Sequence, residues 1–242
     1  MFGELTETER LFIQPEKHPW DALADMIDFM QARAGIRRSA DVQMPTEIWP
    51  EGLATFNERD DDFNSPARGL TIERRVHVKG GEGLRSDQTV YIRGPVILGK
   101  DVKLRQGAVI IGPAYIGDGV TIGQHCRVKR SIIRRGTEIE FSTSVCHCVL
   151  GRNVFVEANS VMGDKLLEDK EVTFLLIDGK AIETFMSRLG LMAGDESRIG
   201  GGSVFVPGVL LPPRTNILPG TRIIRSGEVS SPSFPDPSRF VG

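Results

Sequence analysis

The stretch 96–162, VILGKDVKLRQGAVIIGPAYIGDGVTIGQHCRVKRSIIRRGTEIEFSTSVCHCVLGRNVFVEANSVM, carries a repeat that decides the fold. Leu98, Leu104, Ile110, Ile116, Ile122, Val128, Ile133, Ile139, Val145, Leu150, Val156 and Met162 follow one another at spacings of six, with two steps of five. Two residues before each stands a small or β-branched residue, from Val96, Val102 and Ala108 to Cys148, Val154 and Ser160. Amphipathic helices repeat every 3.6 residues and ordinary strands every two, so neither explains this period. A sustained hexad is the signature of a parallel β-helix, in which each hexad makes one face of a triangular prism. Gly99, Gly117, Gly123 and Gly151 follow the large residue, where a permissive backbone suits a sharp bend.

The five-residue steps run from Val128 to Ile133 and from Val145 to Leu150, one full coil apart, so they are expected to stack on the same corner of the prism. After an interruption the pattern resumes with Ile199, Phe205, Leu211, Ile217 and Ile223, preceded by Ser197, Ser203, Val209, Thr215 and Thr221. Reading backwards, Val90 and Ile92 extend the first block. The two blocks together predict roughly six coils.

The chain has 242 residues and a formal charge of −2, which gives no reason to expect nucleic acid or an anionic membrane as partner. No apolar stretch approaches a membrane span, and the start from Met1 to Arg10 lacks the pattern of a secretory signal. A cytoplasmic location is expected. Three cysteines do not suggest a disulfide framework, and Cys126 and Cys148 fall in the small interior slots of the repeat.

Three regions follow from the pattern: an N-terminal arm over 1–75, a β-helix over 76–225 with an excursion loop at 163–188, and a tail at 226–242. In the arm, HPWDALADMIDFMQARAG from His18 to Gly35 places Pro19 at a first helical position, Trp20, Leu23, Ala24 and Ile27 on one face, and Gly35 as a stop. Such a short amphipathic helix needs a partner surface. From Arg37 to Pro66 the chain is polar and acidic, with Trp49 and Phe56 as anchors, and strand-like residues return at Val76 and Val78. Within the excursion, Val172, Phe174 and Leu176 alternate before Asp178-Gly179, which suggests a hairpin. The tail is rich in Ser and Pro and reads as irregular.

The repeat, the single excursion and the second short block resemble the left-handed β-helix domain of sugar-1-phosphate nucleotidylyltransferases that also act as acetyltransferases, especially the archaeal-type bifunctional enzymes. The resemblance spans about Thr89 to Gly220 and is most specific in CRVKRSIIRRGTEI and IDGKAIETFMSRLGLMAGDESRIGGGSVFVPGVLL. It implies an all-β, left-handed parallel β-helix with a short α-helical arm, assembled as a homotrimer with acetyl-CoA, or another acyl-CoA, as co-substrate between neighbouring subunits. No metal is implied. The nucleotidylyltransferase half has no counterpart, since 75 residues are too few to form one, so nucleotidyl transfer by this chain alone is not expected.

The resemblance breaks at its central residue. The family's general-base motif, His-x-x-Tyr, falls on Phe141 and Ser144, and a later Asn becomes Asp164. A phenylalanine accepts no proton. Acyl transfer needs a base near neutral pH, and His147, at the same place of the next hexad, is the first substitute. His125, one coil below the Phe141 face and thus about 4.8 Å away along the axis, is the second. Cys146 adjoins His147 in sequence, but strand neighbours point to opposite faces, which argues against a thiol–imidazole pair. The basic run Arg127, Lys129, Arg130, Arg134 and Arg135 offers donors to a diphosphate, or a solvated outer face. By the resemblance, Gly201, Gly202, Pro219 and Arg188 correspond to CoA contacts. Lys129, Arg130, Ser144, Asp164 and Lys180 are the candidates for a sugar-phosphate ligand.

Three functions remain open at this level. The first is a CoA-dependent acyltransferase acting on an amino sugar, sugar phosphate or nucleotide sugar with a relocated base. The second is a non-catalytic trimeric module partnering a separate nucleotidylyltransferase, and the third a β-helix scaffold without CoA.

Overall fold

The computed structural model describes residues 3–14, 17–33, 70–72, 78–79, 83–87, 89–167, 174–177 and 180–223. The acidic segment with Trp49 and Phe56, Gly35, Val76, Val172, Asp178-Gly179 and the tail lie outside the described residues. Strands of two to four residues wind into three parallel sheets, which form the faces of a β-solenoid. Face A holds eight strands, beginning at Leu70–Ile72 and Val90–Arg93 and ending at Arg222–Ile223. Faces B and C hold seven each. The solenoid thus makes about seven turns rather than six, because Leu70–Ile72, Val78–Lys79 and Arg85–Ser86 form a further coil beneath Val90. Met192–Ala193, not counted as a hexad in the sequence, adds its face-B strand after the excursion.

Strands this short gain nothing in isolation; each is held by the coil above and below. Tyr115 N donates to Ser131 O (3.0 Å), Ile132 N to Cys148 O (2.9 Å) and Val149 N to Leu191 O (3.0 Å), an axial ladder repeated at every face. Inside the prism the large hexad residues are fully buried, Leu104, Ile110, Ile122 and Val128 all at 0% exposure. The small slots are buried too, and their hydroxyls are satisfied: Thr137 Oγ1 donates to Gly151 O (2.8 Å) and accepts from Val154 N (3.2 Å).

The two five-residue steps do stack. Both cross from face A to face B, Val128 in register with Val145 and Ile133 with Leu150. At these shortened corners Arg130 (φ 46°) and His147 (φ 52°) turn the chain in the left-handed conformation. Elsewhere the role of glycine differs from the expectation. Gly99, Gly117, Gly123 and Gly151 do not have positive φ. They stand where successive coils approach too closely for a side chain: a Cβ on Gly123 would lie 2.6 Å from Ile139 O and one on Gly117 2.7 Å from Arg135 N.

The amphipathic helix forms over Pro19–Arg33, and its partner surface is the outside of face B. Leu23, Met26 and Met30 are buried with Trp20, Ala22 and Ile27, while Ala24 is half-buried, so the stripe is broader than Trp20–Leu23–Ala24–Ile27 alone. They meet Ile97, Tyr115, Ile132, Val149 and Met192 of successive coils. Burial of side chains of this size is worth about 1.5–3 kcal/mol each. The preceding turn is fixed by a reciprocal pair in which Thr6 N donates to Glu9 Oε2 and Glu9 N to Thr6 Oγ1. Glu9, fully buried, receives Arg134 in two contacts, Nε to Oε1 (2.8 Å) and Nη2 to Oε2 (3.2 Å). Arg134 Nη1 continues to Asp195 (3.1 Å), which also accepts from Arg152 and from Gly3 N. The hydrogen bonds from Arg152 and Gly3 and the charge of Arg134 outweigh burial and hold the Asp195 carboxyl below the usual range.

The excursion leaves after Val161–Met162 on face A and returns to face B. Its strands Phe174–Ile177 and Lys180–Glu183 pair antiparallel, the expected hairpin. Leu189 N donates to Asp164 O (3.0 Å) and closes its neck.

Candidate functional site

The corner between faces A and B collects a single column. Val128, Val145 and Met162 are in register, and two residues beyond each stand Arg130, His147 and Asp164. His147 Nδ1 lies 2.8 Å from Asp164 Oδ2, with the imidazole 3% exposed and the carboxylate 20%. Arg188, returning from the excursion, donates through Nη1 to the same Oδ2 (3.2 Å) and is 41% exposed. Lys129 and Arg130, both half-buried, are near enough for their charges to act on His147. Five sequence candidates for different roles thus become one cluster.

Burial disfavours the imidazolium, and the charges of Arg130 and Lys129 reinforce it, while Asp164 opposes; the net effect pushes His147 down to about 4. The ring is therefore neutral at pH 7. With Nδ1–H donating to the carboxylate, the lone pair resides on Nε2, which has no hydrogen-bond partner among the described residues. The carboxylate orients the ring and stabilises the imidazolium that a proton transfer would create.

The remaining candidates are distributed over other surfaces. Ser144 and Cys146 face outward on face A, 3.6 Å apart through Oγ and Sγ, in register with Arg127 and Lys129. His147 turns into the corner instead, so no thiol–imidazole pair forms. The basic run is split as well. Arg127 and Lys129 lie on face A and Arg130 at its corner, whereas Arg134 is wholly buried in the Glu9–Asp195 network and has no reach toward a ligand. Arg135, 44% exposed, lies 3.9 Å from Glu4 on the far side. Lys180 opens the second hairpin strand; its side chain lies outside the described residues.

A second edge, between faces C and A, holds another column. Gly107, His125, Ser142, Asn159, Gly202 and Gly220 follow coil by coil, all with positive φ. His125 is exposed and its ring leans over Gly107. It stacks beneath Ser142, while Phe141, 48% exposed, stacks over Gln124. Gly201, Gly202 and Pro219 crown this edge, across the width of face A from His147. Gly201 N–H is occupied by the Glu157 carboxylate (2.6 Å), but around Gly202 and Gly220 a Cβ would meet nothing within 4 Å.

Sequence reasoning named His147 and Asp164 separately and missed their pairing. The signal was present: each lies two residues past a stacked hexad residue. Arg188 could not be counted into the column, since the excursion intervenes.

Comparison with known proteins finds relatives over the residues that form the solenoid. The family described as the GMPPB C-terminal domain matches residues 92–177. The bifunctional protein GlmU of Alkaliphilus metalliredigens is 27% identical over 146 residues, covering 56% of this chain and 32% of that protein. The bifunctional sugar-1-phosphate nucleotidylyltransferase/acetyltransferase of Sulfurisphaera tokodaii is 28% identical over 157 residues, 57% of this chain and 39% of that protein. The uncharacterized acetyltransferase YaiX of Escherichia coli O6:K15:H31 is 28% identical over 159 residues, 58% of this chain and 68% of that protein. The chain therefore spans about a third of the length of the bifunctional relatives. The resemblance read from the hexads and the excursion, to the β-helix domain of nucleotidylyltransferase/acetyltransferases, is shared by these matches.

Proposed function

We propose that this chain is a CoA-dependent acyltransferase acting on a sugar-derived amine or hydroxyl, with His147 as the general base. The observation that carries this reading is the 2.8 Å contact of His147 with Asp164 at a corner flanked by Lys129 and Arg130. The names of two of these relatives, the Sulfurisphaera tokodaii and Escherichia coli proteins, include acetyltransferase, and this supports the reaction class. A sugar phosphate or nucleotide sugar suits the cationic surroundings.

In the reaction, Nε2 of His147 takes the proton of the acceptor N–H or O–H as that atom attacks the thioester carbonyl carbon. The tetrahedral centre collapses with cleavage of the C–S bond, and the CoA sulfur leaves with the proton returned by the imidazolium. Asp164 holds the ring throughout. The Gly202–Gly220 edge, open where side chains would stand, fits passage of an extended arm such as that of CoA. That edge and the His147 corner lie on opposite margins of face A, so a shared site needs a neighbouring copy, in keeping with the expected homotrimer in the cytoplasm.

Calorimetric titration with acetyl-CoA and CoA, sedimentation, and thiol release with amino-sugar and sugar-phosphate acceptors test the reading together. Saturable binding near one site per subunit and turnover abolished by His147→Gln support it. Full activity in that variant removes His147 from the reaction and leaves His125 as the base to test. The exposed Phe141, where the family's motif has its base, favours a second reading: a trimeric module without catalysis, partner to a separate nucleotidylyltransferase. A folded trimer that binds neither CoA species decides for that module.

A further inference from the structure

Two cationic or ionisable groups share one oxygen at the corner. His147 Nδ1 and Arg188 Nη1 both contact Asp164 Oδ2, at 2.8 and 3.2 Å. They differ in access: the imidazole is 3% exposed and the guanidinium 41%. Arg188 also stands at the mouth of the excursion, where Leu189 N donates to Asp164 O and Gly190 N to His147 O (2.8 Å), so the backbone on either side of the cluster is anchored while the Arg188 side chain reaches solvent.

We propose that Arg188 is a positioning residue that an anionic ligand draws away from Asp164, leaving the carboxylate to His147 alone and thereby switching the imidazole into a stronger proton acceptor. The proposal rests on the reading of His147 as base and adds the regulation of that base by ligand charge. Its physical basis is competition for a single carboxylate oxygen. A guanidinium on Oδ2 neutralises part of the charge that favours imidazolium, and a phosphate or diphosphate offers the guanidinium two-pronged hydrogen bonding of its own. Lys129 and Arg130, beside the imidazole on the preceding coil, add to the attraction for that anion. Among the described residues, the charged groups around His147 are Asp164 and Arg188 from the neck and Lys129 and Arg130 from the coil below, while the neighbouring thiols turn away, Cys146 outward beside Ser144 and Cys148 into the prism. Only Arg188 among them combines a direct bond to the carboxylate with substantial exposure. The arrangement ties proton abstraction to occupancy: the base gains strength when the charged end of the acceptor or of CoA has docked.

Imidazole NMR of the full chain, with its four histidines assigned by substitution, reads this directly. The protein is titrated with and without inorganic phosphate, in the wild type, Arg188→Met and Arg188→Lys. The expected result is that Arg188→Met raises the His147 ionisation by roughly one pH unit, that saturating phosphate raises it in the wild type and little further in Arg188→Met, and that Arg188→Lys restores the wild-type value and its phosphate response. Dispersion of the amide spectrum confirms that each variant is folded. Equal His147 titration in wild type and Arg188→Met overturns the proposal, and so does a phosphate response of full size in Arg188→Met. The reading of His147 as base fails separately, through undiminished acyl transfer by His147→Gln, whatever the titration shows.

Discussion

Asp164 stands directly above His147 on one corner of the prism, because Met162 is in register with Val145 and each polar residue follows its partner by two positions. A pair placed by the period of a solenoid has little freedom to part, since moving either residue would break a backbone hydrogen bond, that of His147 N to Lys129 O on the coil below or that of Leu189 N to Asp164 O at the neck. The relationship makes the corner testable from stability as well as from activity.

His147 titrates at about 4 in the folded chain and near 6.5 when unfolded. Between these values the unfolded state binds more protons, so this residue's contribution to stability is fully present above pH 6.5 and lost as the pH falls toward 4, by on the order of 3 kcal/mol. Urea unfolding of the wild type and His147→Gln at pH 7 and at pH 4.5 measures it. The wild type is expected to lose more stability than the variant across that interval; an equal loss means that the imidazole is not held neutral.

Asp164→Asn keeps the shape of the corner and removes the charge that stabilises imidazolium. The expected effect on acyl transfer is a drop of about ten- to a hundred-fold, with His147→Gln losing about 10²–10⁴-fold. Rates of thiol release at saturating acceptor distinguish them, and an unchanged rate in Asp164→Asn means that the carboxylate does not serve the base.

Glu9 and Arg134 tie the arm to the solenoid with both side chains at 0% exposure. Glu9→Ala leaves a buried guanidinium short of its main partner and is expected to cost about 3–5 kcal/mol. Replacing both residues with apolar groups of similar volume recovers most of that loss. Denaturant midpoints of the single and double variants provide the comparison, and a single variant as stable as the wild type removes the pair from any role in docking the arm.

Deleting residues 1–33 uncovers Ile97, Tyr115, Ile132, Val149 and Met192 in a contiguous stripe along face B. Such a surface binds hydrophobic dyes and drives association. Dye fluorescence and sedimentation of the truncated chain are expected to rise together, and a truncated chain with neither change means that face B is covered by something other than the arm.

Two glycines separate close approach from backbone conformation. Gly123→Ala puts a Cβ 2.6 Å from Ile139 O, whereas Gly202→Ala meets nothing within 4 Å but must adopt φ +67°. The second is expected to cost about 1–2 kcal/mol and the first more, since a neighbouring coil's backbone has to shift. Thermal unfolding of the two variants ranks them.

The prism, its stacked short corners, the hairpin and the polar slots of its interior were legible in the chain because each follows from a local period: six residues return the backbone to the next face, and only small or β-branched residues fit the slot before the large one. The same count stacks Arg130, His147 and Asp164, so most of the candidate site was written in the repeat, though the pairing was not drawn from it. What only the tertiary structure decided lies across gaps that no period spans. Arg134 reads as one of a run of surface cations, yet Glu9, 125 residues away, takes it into the interior. Arg188 reads as a loop residue, yet the excursion returns it to Asp164, 24 residues earlier. Hexads specify contacts between neighbouring coils through the geometry of the backbone; contacts made by an arm or a loop folding back are set by burial and charge, which the spacing of residues along the chain does not encode.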